Sequence, residues 1–205
     1  MNFSNLMLFI PVLLVSMTVH EAAHALMSNS LGDDTAKREG RLSLNPLVHI
    51  DPIFTVLVPA VMIFLGASPI LAAKPVPFNP DRVKFGEFGA ALVGLAGPVS
   101  NIVMAIIAAV YARTIGLTSQ LAADILTLFV VVNINLFVFN LIPWPPLDGS
   151  RLLYAFAPDA VRRVMRQIEA FGITGIFVFI FVAYPVVAPI TNLAKDRLLS
   201  GVLGI

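Results

Sequence analysis

Apolar residues in this chain gather into runs of about 20, the length of helix that crosses a hydrocarbon core roughly 30 Å thick. Five runs stand out: Leu6 to Met27, Ile53 to Ala72, Phe88 to Ala112, Leu121 to Ile142 and Phe171 to Ile190. Between them lie a polar loop (28–52), a proline-rich stretch (74–87), a short link (113–120) and a basic segment (143–170). In the basic segment Arg162, Arg163 and Arg166 alternate with Val161, Val164, Met165 and Ile168. That spacing suits an amphipathic helix at the membrane interface as well as it suits a solvated loop helix. No internal repeat is visible. The pattern predicts an all-α membrane protein, a polytopic bundle of about five apolar segments in one domain over residues 1–205. No Lys or Arg precedes the first run, which continues straight into His20 and Glu21, so it is expected to be a retained transmembrane helix rather than a leader.

Composition agrees with lipid as the solvent. Hydrophobic residues make up 58% of the 205 and charged residues 12%, with a mean hydropathy of +0.91. The formal net charge is only +1 and the basic residues are scattered, which excludes a cationic face for nucleic acid. Cysteine is absent, so thiolate ligands and a cysteine nucleophile are excluded, and any metal must bind through nitrogen and oxygen. Lys37, Arg38 and Arg41 follow the first run, Lys74, Arg82 and Lys84 the second, Arg113 the third, and Arg151, Arg162, Arg163 and Arg166 the fourth. Basic loops stay in the cytoplasm, so the first, second and fourth loops share that side. The second run, with Pro59, Gly66 and Pro69, is then expected to re-enter on one face instead of crossing.

The chemistry is concentrated in Val-His20-Glu21-Ala-Ala-His24-Ala, near the end of the first run. On a helix, i and i+4 share a face, so both imidazoles reach one metal ion while Glu21 is turned about 100° away. A zinc site built from two His and a third protein ligand keeps an open position for water, with Glu21 placed to take its proton. Three ionisable groups inside a bilayer demand compensation by partners or function. For the third ligand Asp148 is the best candidate, in Asn140-Leu-Ile-Pro-Trp-Pro-Pro-Leu-Asp-Gly149, where prolines break the helix. As a competing reading, Asp148 is a plain turn residue. His49, beside Asp51 and Pro52, competes as a ligand but reads as a solvated or helix-capping residue. Cobalt or iron would suit the same donors.

These motifs, with Gly97-Pro-Val-Ser-Asn101 between them, resemble the site-2 protease family of intramembrane zinc metalloproteases, over nearly the whole chain. The resemblance implies one zinc per chain on His20, His24 and Asp148, Glu21 as catalytic base, and Asn140 holding the substrate backbone. It further implies an extended segment at Lys74 to Pro80, where Val76, Pro77 and Phe78 offer an edge to an unwound substrate. Asn101 has no assigned role, and Gly97 and Pro98 read as close helix-packing positions. The implied substrate is a membrane protein with a transmembrane segment. No sensing domain is visible, so regulation is assigned to a separate protein or to prior trimming of the substrate.

Depth tests the topology. Four full crossings would put His24 and Asp148 on opposite faces, whereas a re-entrant Ile53 to Ala72 puts them on one. The expected protein is therefore a multi-pass cell-membrane enzyme with an outside N-terminus and an active site opening towards the cytoplasm. Two other classes compete: a metal transporter, which needs a chain of ligands and commonly repeated halves, and a catalytically silent scaffold, which would lack a ligand.

Overall fold

The computed structural model describes residues 3–50, 74–115, 119–172, 175 and 178–203. Among them every regular element is helical. Helix α1 runs Phe3–Ser30, α2 Thr35–Arg38, α3 Glu87–Ile115, α4 Gln120–Asn140, α5 Gly149–Phe156, α6 Asp159–Ala170 and α7 Tyr184–Leu203. A 3-10 turn occupies Pro46–His49 and a π-helical turn Phe179–Ala183. Met7–Ser30, Glu87–Thr114 and Gln120–Asn140 are long and apolar enough to cross a membrane. The expected run Ile53 to Ala72 lies outside the described residues.

Helices α1, α3 and α4 pack into a three-helix unit, and α7 lies against the far side of α3 and α4. Two seams hold it together. Along one, Ala105, Ala108 and Ala109 of α3 let Val130, Ile134 and Val138 of α4 approach closely, with Ala194, Leu198, Leu199 and Val202 of α7 packed on them. Along the other, Val12 and Leu13 of α1 meet Val132 of α4. Outward-facing Val103, Ile106, Ile107 and Val110 are left for lipid.

The helix that holds the end of the fifth apolar run extends beyond it. Helix α7 continues beyond Ile190 to Leu203 because Ala194, Leu198, Leu199 and Val202 recur at helical spacing and pack on α3 and α4, although Lys195, Asp196 and Arg197 interrupt the hydropathy. The basic segment forms α5 and α6, the latter with Met165 buried and Arg163 and Arg166 exposed.

Helix α1 stops at Gly32, whose φ of +106° few side chains tolerate. The Asp33 N–H donates to the Ser28 carbonyl and the Gly32 N–H to that of Asn29, the paired bonds of a Schellman end. The reversal buries Asp33 completely. Its carboxylate accepts from Ser28 Oγ, from the N–H and hydroxyl of Thr35, and from the Asn79 N–H at 2.7 Å. The end of α1 is thereby tied to the 74–80 segment.

Candidate metal centre

Four-residue steps along α1 place Val12, Ser16, His20, His24 and Ser28 on one buried face. Apolar at its start, that face turns polar towards the helix end. His20 Nε2 and His24 Nε2 lie 3.0 Å apart, and Asp148 Oδ2 sits 3.1 Å from the first and 3.3 Å from the second. Asp148 occupies the position before α5, yet its carboxylate does not cap that helix. It turns inward instead, carried there by the turns that follow α4: the Trp144 N–H donates to the Ile142 carbonyl and the Leu147 N–H to that of Trp144.

Electrostatics keep Asp148 an anion. Burial by itself raises its carboxyl pKa, but the imidazoles beside it, His24 foremost, outweigh burial and hold it well below the usual carboxylate range. Oδ2 is nevertheless shielded from water and has no hydrogen-bond partner among the described residues. Its two near neighbours are ring nitrogens. The Nδ1 of His24 lies 2.7 Å from the Val93 carbonyl, which only accepts, so Nδ1 carries a proton, and a ring that gives up its other proton presents its lone pair on Nε2. An orphaned carboxylate oxygen beside such nitrogens is a donor set fitted to a cation.

Gly97 keeps the space above this cluster open. A Cβ there would collide with His24 Nε2 and lie 2.6 Å from His20 Cε1 and Nε2. The glycine does allow α3 to approach α1, as a packing position would, but the atoms it makes room for are the imidazole nitrogens. Two donors from α1 and one from the turn before α5 thus converge beneath a missing side chain, and among the described residues they form the one such cluster of three.

Glu21 is buried on the adjacent face, and its Oε2 accepts the Val76 N–H at 3.0 Å. Residues 74–79 form neither helix nor paired strand. The Lys74 N–H donates to the His49 carbonyl, and Asn79 is bound to Asp33 as above. Pro75 and Pro77 have no N–H to offer. Val76 is buried with Ala25 and Ala36, while Pro77 and Phe78 are half-buried, the Phe78 ring lying 5.4 Å from the Arg151 guanidinium carbon. Asn140 remains outside the cluster, its amide nitrogen donating to the Leu136 carbonyl of its own helix.

His49 differs from the expectation of a solvated or capping residue. It is buried, its Nε2 2.9 Å from the Ser43 carbonyl, and the capping role belongs to Asn45, whose side chain accepts the Leu47 N–H. The Pro46–His49 turn folds its ring back onto the preceding loop and away from the cluster of three donors.

Asn101, given no role from sequence, reaches His20: its Oδ1 lies 2.6 Å from Nδ1. Its amide nitrogen donates to Asn133 Oδ1 at 2.8 Å, and Asn133 donates in turn to Ser16 Oγ at 2.9 Å. All three are fully buried. The available signal was the polarity of asparagines within runs otherwise fit for lipid.

Fold and donor set together describe a helical membrane protein with a three-donor cluster that could hold a metal ion. The profile of Peptidase family M50 matches residues 114–183, the part that contains Asp148. YwhC of Bacillus subtilis, whose name carries a provisional zinc-metalloprotease assignment, is 38% identical over 92% of this chain and 87% of its own length. Rip2 of Mycolicibacterium smegmatis, with the same provisional assignment, is 25% identical over 87% of this chain and 66% of its own. RasP of Bacillus licheniformis, named a zinc metalloprotease, is 33% identical over 55% of this chain and 23% of its own. No solved structure matches. The chain belongs to peptidase family M50, the site-2 protease family.

Proposed function

We propose that this protein is an intramembrane zinc endopeptidase that cleaves membrane proteins in or near their transmembrane segments. The carrying observation is the meeting of His20, His24 and Asp148 with Glu21 on the adjoining helix face. In this reading His20 Nε2, His24 Nε2 and an Asp148 oxygen hold one zinc ion. Zinc, when bound, supplies Lewis-acid chemistry, polarising a carbonyl and bringing the pKa of a water towards about 7.

The remaining steps belong to the chain's own groups. Glu21 receives the proton of the attacking water on a carboxylate oxygen and delivers it to the leaving amine. The Val76 amide restrains Glu21 through Oε2, so the base is held by the segment assigned to the substrate. With Lys74, Val76 and Asn79 bonded inward and Pro75 and Pro77 lacking N–H, that segment offers an unwound substrate its carbonyls and the Phe78 N–H. Asn140 would use its Oδ1 to hold the substrate backbone, since its nitrogen is engaged. The buried donors and the surrounding apolar helices keep bulk water from the reacting bond.

Re-entry of Ile53 to Ala72 is supported by the residues that flank it. The end of α1 and the start of α3 lie together, His24 against Val93, and Lys74 bonds to His49. With α3 and α4 crossing, His24 and Asp148 meet at one depth, and the basic loops put that end in the cytoplasm. A cysteine introduced at Phe78 should react from the cytoplasmic side alone; labelling only from outside intact cells overturns the orientation.

The function is tested by comparing wild type with Glu21→Gln on a transmembrane peptide in detergent with zinc. Cleavage should fall by about 10²–10⁴-fold while zinc stays bound. Undiminished cleavage by the variant contradicts the assignment, as does zinc transport across a vesicle membrane that survives it.

A further inference from the structure

We propose that Asn101 is the positioning residue that fixes the tautomer and orientation of His20, through a hydrogen-bond relay that crosses α1, α3 and α4. This rests on the metal reading above and names what prepares the first ligand for it. The direction of the relay follows from its ends, where backbone carbonyls can only accept. Ser16 Oγ donates to the Val12 carbonyl at 2.8 Å, which leaves its oxygen to accept from Asn133. The Asn133 amide nitrogen donates to that oxygen and also to the Phe129 carbonyl at 2.9 Å. Its nitrogen is thereby committed, and Asn133 must present Oδ1 to Asn101.

Asn101 then has only one arrangement. Its nitrogen faces Asn133, so its Oδ1 faces His20 Nδ1 at 2.6 Å. An oxygen that accepts requires a proton on Nδ1, and a neutral imidazole protonated there carries its lone pair on Nε2. Nε2 is the atom 3.1 Å from Asp148 Oδ2. Two backbone carbonyls in two different helices thus dictate which ring nitrogen of His20 is free to bind metal.

His24 reaches the same tautomer by a shorter route, directly through the Val93 carbonyl. Ser16, Asn101 and Asn133 are each 0% exposed, so the relay is shielded from bulk water. Asn135, two residues along α4, provides a contrast: its amide donates to its own helix at Val131 and it takes no part in the relay.

Zinc affinity, measured by chelator competition on the purified full chain, and the visible spectrum of the cobalt-loaded protein test the proposal. Asn101→Leu should weaken zinc binding by about 10–100-fold and alter the cobalt spectrum. Asn101→Asp, which keeps an acceptor oxygen towards Nδ1, should recover most of the affinity, and Asn135→Leu should leave it unchanged. If Asn101→Leu does not fold, Asn133→Leu serves: it keeps the contact with His20 but removes its orientation, and should weaken binding several-fold. Equal losses in Asn101→Leu and Asn101→Asp, or wild-type affinity and spectrum in Asn101→Leu, overturn the positioning role while leaving the metal centre standing. Unchanged affinity in Asn133→Leu overturns the relay. Failure of the wild-type protein to bind zinc or cobalt removes the metal centre itself, and this inference with it.

Discussion

Helices α3 and α4 take part in two seams built on opposite chemistry. On the α7 side, Ala105, Ala108 and Ala109 pack against Val130, Ile134 and Val138 with no polar side chain among them. On the α1 side, the same two helices contribute Gly97, Asn101 and Asn133 to a column that ends at His20 and His24. The first seam is held by close contact between small and branched side chains, which is how helices associate in lipid. The second contains polar groups that lipid cannot solvate, so its members must satisfy one another. One interface is specified by shape; the other is specified by hydrogen-bond direction, and the candidate metal centre lies where the second meets the membrane end.

Substitutions should separate the two. Gly97→Ala places a methyl group against both Nε2 atoms, and displacement of a ligand by about 1 Å should reduce proteolysis by about 10²-fold. Zinc affinity should fall with it, and the clash with the buried imidazoles should cost the metal-free protein about 1–3 kcal/mol. Ile134→Ala, a fully buried position in the apolar seam, should lower stability alone. Denaturation in detergent should show a loss of about 2–5 kcal/mol, with zinc affinity unchanged. If the two variants exchange their effects on zinc affinity, the division between seams is wrong.

Smaller effects are expected outside the seams. Asp33 has its carboxyl pKa lowered: burial alone would raise it, but hydrogen bonds from Thr35, Asn79 and Ser28 prevail. Because the folded value lies below the unfolded one, its contribution is present above about pH 4 and is lost as pH falls through the folded value. Asp33→Asn should therefore flatten the acid side of the stability curve, read by thermal melts between neutral pH and pH 3. The last contrast is at the surface. Arg151 Nη2 lies 2.6 Å from Glu169 Oε1, the pair only partly shielded, and Tyr154 donates to Glu169 Oε2, its phenol pushed up to about 12 by burial and by that carboxylate. Glu169→Gln should change stability by about 0.2–1 kcal/mol and leave zinc binding alone.

Much of the candidate site was legible in the sequence because it is local. His20, Glu21 and His24 lie within a single turn and a half of helix, and the four-residue step of Ser16, His20, His24 and Ser28 can be traced along the chain. The helical, membrane-embedded class follows from run length alone. What remained hidden depends on distance in sequence: Asn101 and Asn133 are 81 and 113 positions from His20, and a polar residue in an apolar run does not reveal its partner. Gly97 read as a packing glycine because small size is the same signal whether the neighbour is a helix or an imidazole. His49 was misplaced because a polar loop looks solvated until its fold is seen. The end of α7 lies beyond the apolar run because Lys195, Asp196 and Arg197 interrupt the hydropathy while Ala194, Leu198, Leu199 and Val202 still pack.

His20, His24 and Asp148 are proposed to hold one zinc ion between them, and metal analysis of the purified protein beside His24→Ala and Asp148→Ala decides whether they do. One zinc per chain in wild type, lost from both variants, is the predicted result. Equimolar zinc retained with wild-type affinity in Asp148→Ala would contradict it.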